Sequence, residues 1–82
     1  LITVKFFATL RKATGEKSYE SSAPTAGALL KEIEKRYGGD IGRHMKNCIV
    51  LVNGRNLGYL KGKRTKLNTG DEVSIFPPLA GG

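Results

Sequence analysis

Five consecutive apolar residues, Cys48-Ile49-Val50-Leu51-Val52, run directly into Asn53-Gly54, and this junction constrains the fold more than any other stretch of the chain. An unbroken apolar run suits a strand covered on both faces or lying near the centre of a sheet. Asn-Gly tolerates positive φ at both positions and so favours a tight type I′ turn, which predicts a short strand over Asn56–Leu60 pairing back on the run. With 82 residues the chain can build one hydrophobic core and no second one. The only cysteine, Cys48, can form no internal disulfide and finds no second thiol for a Cys-based metal site, so the core has to be held by packing.

The apolar pattern assigns the remaining elements. Ile2, Val4, Phe6, Ala8 and Leu10 alternate with polar positions and predict an opening strand over residues 2–10. Phe7 breaks the polar face, either as a small cluster under a loop or as part of a docking patch. A turn at Thr14-Gly15 and a more polar strand over Lys17–Ser21 would complete a hairpin. Pro24 then disfavours helical angles at Ala23, and the Thr25 hydroxyl can cap a helix that begins there. Ala26, Leu30, Ile33 and Tyr37 form its inward stripe, with Leu29 adjoining. Glu32 and Arg36 are spaced as an outer i,i+4 pair, Gly27 weakens the first turn, and Gly38-Gly39 stops the helix. Residues 40–47 read as irregular, with Ile41 and Met45 tucked inward and His44 at the surface. Gly62–Lys66 reads as a basic loop and Leu67 as a core plug. Thr69-Gly70-Asp71 turns the chain into a last strand, Glu72–Phe76, with Val73 and Ile75 inward. The expected fold is α+β, a mixed sheet with one main helix on one face, in the element order of the ubiquitin-like β-grasp. Residues 1–76 form the domain and residues 77–82 an extended tail.

Charge and chemistry narrow the function. Fourteen Lys and Arg against seven Asp and Glu give a net charge of +7, which attracts acidic partners or nucleic acid at low salt. The excess is local, because Arg55, Lys61, Lys63, Arg64 and Lys66 share a stretch without a single acidic residue. Single-strand binders interleave aromatic rings for base stacking, and this stretch has only Tyr59, so a solvated loop is the simpler reading and a small RNA-binding module ranks low. No apolar run approaches a membrane span and the opening segment alternates, so a cytoplasmic protein with no membrane partner is expected. One His and one Cys leave His44 with Cys48 as the sole tempting dyad, and such a thiol is more often a small buried hydrophobe. Gly62-Lys63 fails the phosphate-loop pattern, because Leu57 and Arg64 stand where Gly and Ser or Thr are required. No metal site and no bound cofactor are expected.

The carboxyl end is where the chemistry points. Phe76-Pro77-Pro78-Leu79-Ala80-Gly81-Gly82 places two stiff prolines, one apolar anchor and two side-chain-free residues in order. Such a tail leaves the sheet extended, and Gly81-Gly82 can enter a channel too narrow for any other residue. Together with Phe6-Phe7-Ala8 and Gly70-Asp71-Glu72-Val73, this end resembles the MoaD family, the small sulfur-carrying subunits of molybdopterin synthase. That family is related to the thiamine sulfur carrier and to small archaeal modifier proteins. The resemblance implies that an ATP- and Mg²⁺-using adenylating enzyme activates the carboxylate of Gly82, with Gly81 beside it. It also implies that Phe76, Pro77, Pro78, Leu79 and Ala80 contact partners, among them the large catalytic subunit of molybdopterin synthase. Sulfur attack on the activated end would make a carrier non-catalytic on its own, and lysine attack an isopeptide-linked modifier of target proteins.

Overall fold

The computed structural model describes residues 1–38 and 40–78; Gly39 and residues 79–82 lie outside the described part. Its elements are β1 (Ile2–Phe6), α1 (Thr9–Thr14), β2 (Ser18–Ser21), α2 (Ala26–Tyr37), α3 (Ile41–Met45), β3 (Ile49–Val52), β4 (Arg55–Asn56) and β5 (Glu72–Phe76), with two 3₁₀ turns at Leu57–Tyr59 and Gly62–Arg64. The sheet runs β2-β1-β5-β3-β4. Its parallel pair is β1 with β5, in register Val4↔Val73 and Phe6↔Ile75, and the other neighbours are antiparallel. Inward residues of β1, β3 and β5 (Val4, Phe6, Val50, Val52, Val73, Ile75) meet Leu29 and Ile33 of α2 in one buried cluster. Leu67 closes it, as its pattern predicted. This is the β-grasp arrangement, with α2 on one face of a mixed sheet.

The opening strand is shorter than expected. It ends at Phe6, and residues 9–14 form α1 instead of continuing the strand to residue 10. Leu10 satisfied the period-two pattern, but it also lies three residues before Ala13, and in the helix Leu10 is fully buried while Ala13 packs against the core. Ala8 takes φ 52° at the break, and Gly15 closes α1 in a left-handed cap, its N–H donating to the Arg11 carbonyl at 2.9 Å. β1 and β2 are therefore antiparallel neighbours joined through a helix, not a tight hairpin.

Residues 40–47 also differ from the irregular reading, because Ile41–Met45 form α3 beside α1 and α2. Five residues are too few to show a helical period, and no side-chain cap marks the start. The Asn53-Gly54 turn is as predicted: φ is 51° and 85°, and Val52 pairs with Arg55 across two residues. The strand that follows stops at Asn56 rather than Leu60, since the Asn56 side chain accepts from the Gly58 N–H at 2.8 Å and folds the backbone into a 3₁₀ turn.

Helix α2 starts where its cap predicts. Thr25 is extended and its Oγ1 accepts from the Ala28 N–H at 3.1 Å. Gly27 has a packing reason: a Cβ there would stand 3.1 Å from the carbonyl oxygen of Lys63. The segment after the second 3₁₀ turn is laced to this helix end, with Ala26 N–H donating to Thr65 O and Leu67 N–H to Pro24 O, both at 2.9 Å. The expected Glu32–Arg36 pair is replaced by longer-range partners. Tyr19 donates to Glu32 at 2.6 Å, Tyr37 donates to Glu16 at 2.8 Å, and Arg36 lies 4.2 Å over the Tyr19 ring while pairing with Glu16. Burial, reinforced by the hydrogen bond to Glu16, pushes the Tyr37 phenol up to about 12, so the hydroxyl keeps the proton it donates at neutral pH.

Asn53 ties the hairpin turn to the root of β5. Its Nδ2 donates to Asp71 Oδ1 at 2.9 Å, and its Oδ1 accepts from the Glu72 N–H at 2.9 Å. The Asn68 N–H donates to Asp71 Oδ2 at 2.8 Å, and this bond, followed by that from Asn53, holds the Asp71 carboxyl below the usual carboxylate range. A depressed folded pKa contributes stability that is present above the unfolded value, about 4, and is lost as pH falls through the folded one. Thermal unfolding followed from neutral to acid pH is expected to show Asp71→Asn with a lower midpoint at neutral pH and a shallower decline below about pH 4 than the parent chain. Parallel declines would remove Asp71 from the acid response. Thr25→Ala is expected to lower stability by about 1 kcal/mol, read as a shifted urea midpoint at unchanged slope.

Candidate functional site at the root of the carboxyl tail

The last strand sits at the centre of the sheet, hydrogen-bonded to β1 on one side and β3 on the other. Its final pair is Ile49↔Phe76, after which Pro77 has no N–H to extend either ladder. Pro77 is half-buried and Pro78 exposed, so the chain leaves the sheet at a fixed point and turns to solvent there. Leu79, Ala80, Gly81 and Gly82, the rest of the expected site, lie outside the described residues.

Around that point the face of the sheet opposite α2 is apolar. The Phe76 ring stacks on Phe7 with centroids 4.3 Å apart and planes 10° from parallel. Arg11, reaching back from α1, places its guanidinium 5.5 Å from the Phe7 centroid and donates from Nε to the Phe6 carbonyl at 3.0 Å. Ile49 lies beside Phe76 with 37% of its surface exposed, and half-buried Leu51 continues the strip opposite Ser74. Toward the other end the same face is polar, with Lys5 and Glu72 paired at 2.9 Å and Thr3 donating to Glu20. The apolar area is thus concentrated where the tail departs.

Of the two readings of residues 48–52, a place near the sheet centre fits, since β3 lies between β5 and β4, whereas cover on both faces does not. Val50 and Val52 are buried under α2, whereas Ile49 and Leu51 face the open side. Of the two readings of Phe7, the small cluster is what the described residues form, half-buried between Phe76 and Arg11 at the tail root. Ile49 went unassigned in the sequence; the signal was its place in an apolar run with no polar alternate, next to a sheet edge.

The other candidates do not converge. Cys48 lies in the turn after α3 rather than opening β3, its N–H donating to the Met45 carbonyl, and burial pushes its thiol above the ordinary range, away from the nucleophilic thiolate. His44 is exposed on α3. Among the described residues no group of His, Cys, Asp and Glu is placed to hold a metal ion, and no helix is long and apolar enough to cross a membrane. The arrangement is suited to docking and to presenting a terminus.

Comparison with known proteins agrees in kind. Small archaeal modifier protein 3 of Haloferax volcanii is 39% identical, the match covering 99% of this chain and 98% of that protein. The molybdopterin synthase sulfur carrier subunit of Homo sapiens is 32% identical across 99% of this chain and 93% of its own. A chain of the Amycolatopsis orientalis BexX/CysO complex superposes with a TM-score of 0.83 at 30% identity, covering all of both chains; that relative is seen bound to a partner protein. Residues 4–82 match the ThiS family, and the chain belongs to that family, among relatives named as sulfur carriers and small modifiers.

Proposed function

We propose that this chain is a sulfur carrier that works through the carboxylate of Gly82, serving molybdopterin synthesis as the small, non-catalytic partner of a larger subunit. The observation that carries the reading is the apolar surface of Phe7, Phe76 and Ile49 set at the root of the tail. A partner that covers this patch has the departing chain already aimed into it, so little orientational freedom is left to lose when the end enters an active site.

The chemistry asks little of this chain. A carboxylate is a poor electrophile, and in the proposed first step its oxygen attacks the α-phosphorus of ATP and expels pyrophosphate. ATP and Mg²⁺ belong to the adenylating enzyme. A persulfide sulfur then attacks the acyl carbon, AMP departs, and a second thiol cleaves the acyl disulfide to release a terminal thiocarboxylate. Gly81 and Gly82 bring no side chain into the channel where this occurs. Pro77 and Pro78 stiffen the exit, and Leu79 and Ala80 contact the partner. The setting is the cytoplasm, where the thiol donors stay reduced.

A second reading, a modifier joined to target lysines through Gly82, is favoured by the 39% identity to an archaeal modifier protein. Both readings share the first step and part at the nucleophile. Incubation with the cognate adenylating enzyme, ATP and a persulfide donor is expected to raise the intact mass by one oxygen-to-sulfur exchange, and removal of Gly82 to abolish it. If expression in the native cell instead yields ladders on other proteins that vanish with Gly82, the modifier reading replaces the carrier. An unchanged mass together with absent ladders would refute both. For docking, Ile49→Glu is expected to weaken capture of the adenylating enzyme by about tenfold or more while the unfolding midpoint moves little, because the new carboxylate stays in water until the partner arrives. Undiminished capture would place the docking surface elsewhere.

A further inference from the structure

The basic stretch is not a loose loop. Lys61 N–H donates to Thr65 Oγ1 at 3.1 Å, Arg64 N–H to Lys61 O and Thr65 N–H to Gly62 O at 3.0 Å, and Thr65 O accepts from the amino end of α2. Lys66 is bridged to Thr25. This backbone holds an open groove of about 620 Å³ lined by Tyr59, Leu60, Lys61, Arg64, Thr65 and Lys66. Tyr59 is 89% exposed, the least covered large apolar side chain among the described residues. The ion pairs among the described residues, Lys5–Glu72 and Arg36–Glu16, do not reach this segment, and residues 54–70 contain no Asp or Glu. Of the five cations in this stretch, Lys61, Arg64 and Lys66 line the groove, where no acidic side chain joins them, whereas Lys63 lies against α2 in clefts that it shares with Glu34.

Position separates this groove from the docking patch. β3 begins beside the tail at Ile49↔Phe76 and ends at Val52, paired with Val73 near the start of β5. Helix α2 begins shortly after Ser21, which pairs with Ile2, so the Thr25↔Lys66 bridge also lies at the end of the sheet away from the tail. A ligand in the groove and an enzyme at the tail can be bound together.

We propose that the Tyr59–Lys66 groove is a second docking site, for an acidic, extended segment of a partner protein carrying an apolar residue. Carboxylates of the segment would meet Lys61, Arg64 and Lys66, and its apolar side chain would lie on Tyr59 and Leu60, the only apolar side chains of the groove. A protein segment is favoured over single-stranded RNA because one ring gives no platform for successive bases. The hydrogen-bonded backbone is already placed, so binding has only the side chains of these cations to order.

The test uses the full chain and a labelled synthetic peptide that alternates Asp-Glu pairs with Leu. In an amide NMR titration, shifts are expected at residues 59–66 and at Gly27, which lies against Lys63. Affinity should fall about tenfold between roughly 50 and 200 mM salt. The double variant Lys61→Glu with Arg64→Glu should bind at least about tenfold more weakly with an unchanged circular dichroism spectrum, and Tyr59→Ala severalfold more weakly. A chain lacking Gly81-Gly82 should bind as the full chain does, which keeps this site distinct from the tail. Shifts centred on Phe7 and Phe76, affinity indifferent to the charge reversal, or tighter binding of oligouridine than of the peptide would each overturn the proposal.

Discussion

The parallel pairing of β1 with β5 is the constraint on which the rest of this small protein depends. It joins the first and last strands of the domain at the middle of the sheet, in register from Thr3↔Glu72 to Phe6↔Ile75. A parallel pair needs a long crossover, and here nearly the whole domain serves as one, with α2 lying across the buried face. Such non-local contacts are slow to form. The consequence for function is geometric. A final strand at a sheet edge could fray with whatever follows it, whereas Ile75 is paired on both sides, with Phe6 and Val50, and Phe76 with Ile49 right up to the prolines.

The sheet divides its open face along the strands. Lys5, Glu72, Thr3 and Glu20 form a satisfied polar surface at one end, which water covers at no cost. At the other end Phe7 and Phe76 cover part of each other's area by stacking, while Ile49 stays exposed. Ile49 and half-buried Leu51 keep apolar area in water that this domain does not itself bury, and the proposed docking would remove it from water.

Much of this was legible in the residues. The Thr25 cap, the Asn53-Gly54 turn and β5 each have a local cause strong enough to survive folding and lie where the pattern put them, while in the α2 stripe Ala26 and Ile33 are buried as expected but Leu29, not Leu30, takes the deep position. The failures share one physical origin, a pattern that fits two structures. Leu10 fits a strand at period two and a helix at spacing three, and the positive φ at Ala8 that decides between them has no side-chain signature. In the run 48–52, continuous apolarity reads as double burial, but it equally describes a strand inside the sheet with one face buried and the other left open, as Val50 and Val52 against Ile49 and Leu51 show. Gly27 looked like a flaw in the helix until the close approach of Lys63, a contact across 36 positions, supplied the reason. Of the site, the order of residues in the tail was readable because composition alone carries it, whereas the neighbourhood of Phe7, Phe76, Ile49 and Arg11 required the sheet order.

The division of labour follows from the same economy. The described interior is one apolar core, and burial pushes the half-buried Cys48 thiol above its ordinary range, away from the nucleophilic thiolate. What such a domain can do well is hold surfaces at fixed separation. The central β5 sets the apolar patch and the tail at one end, and the lacing of residues 62–67 onto α2 sets a basic groove at the other. On the proposed reading, a partner gripped through charge at the groove would raise the effective concentration for the second contact at the root of the tail, without either surface having to change shape.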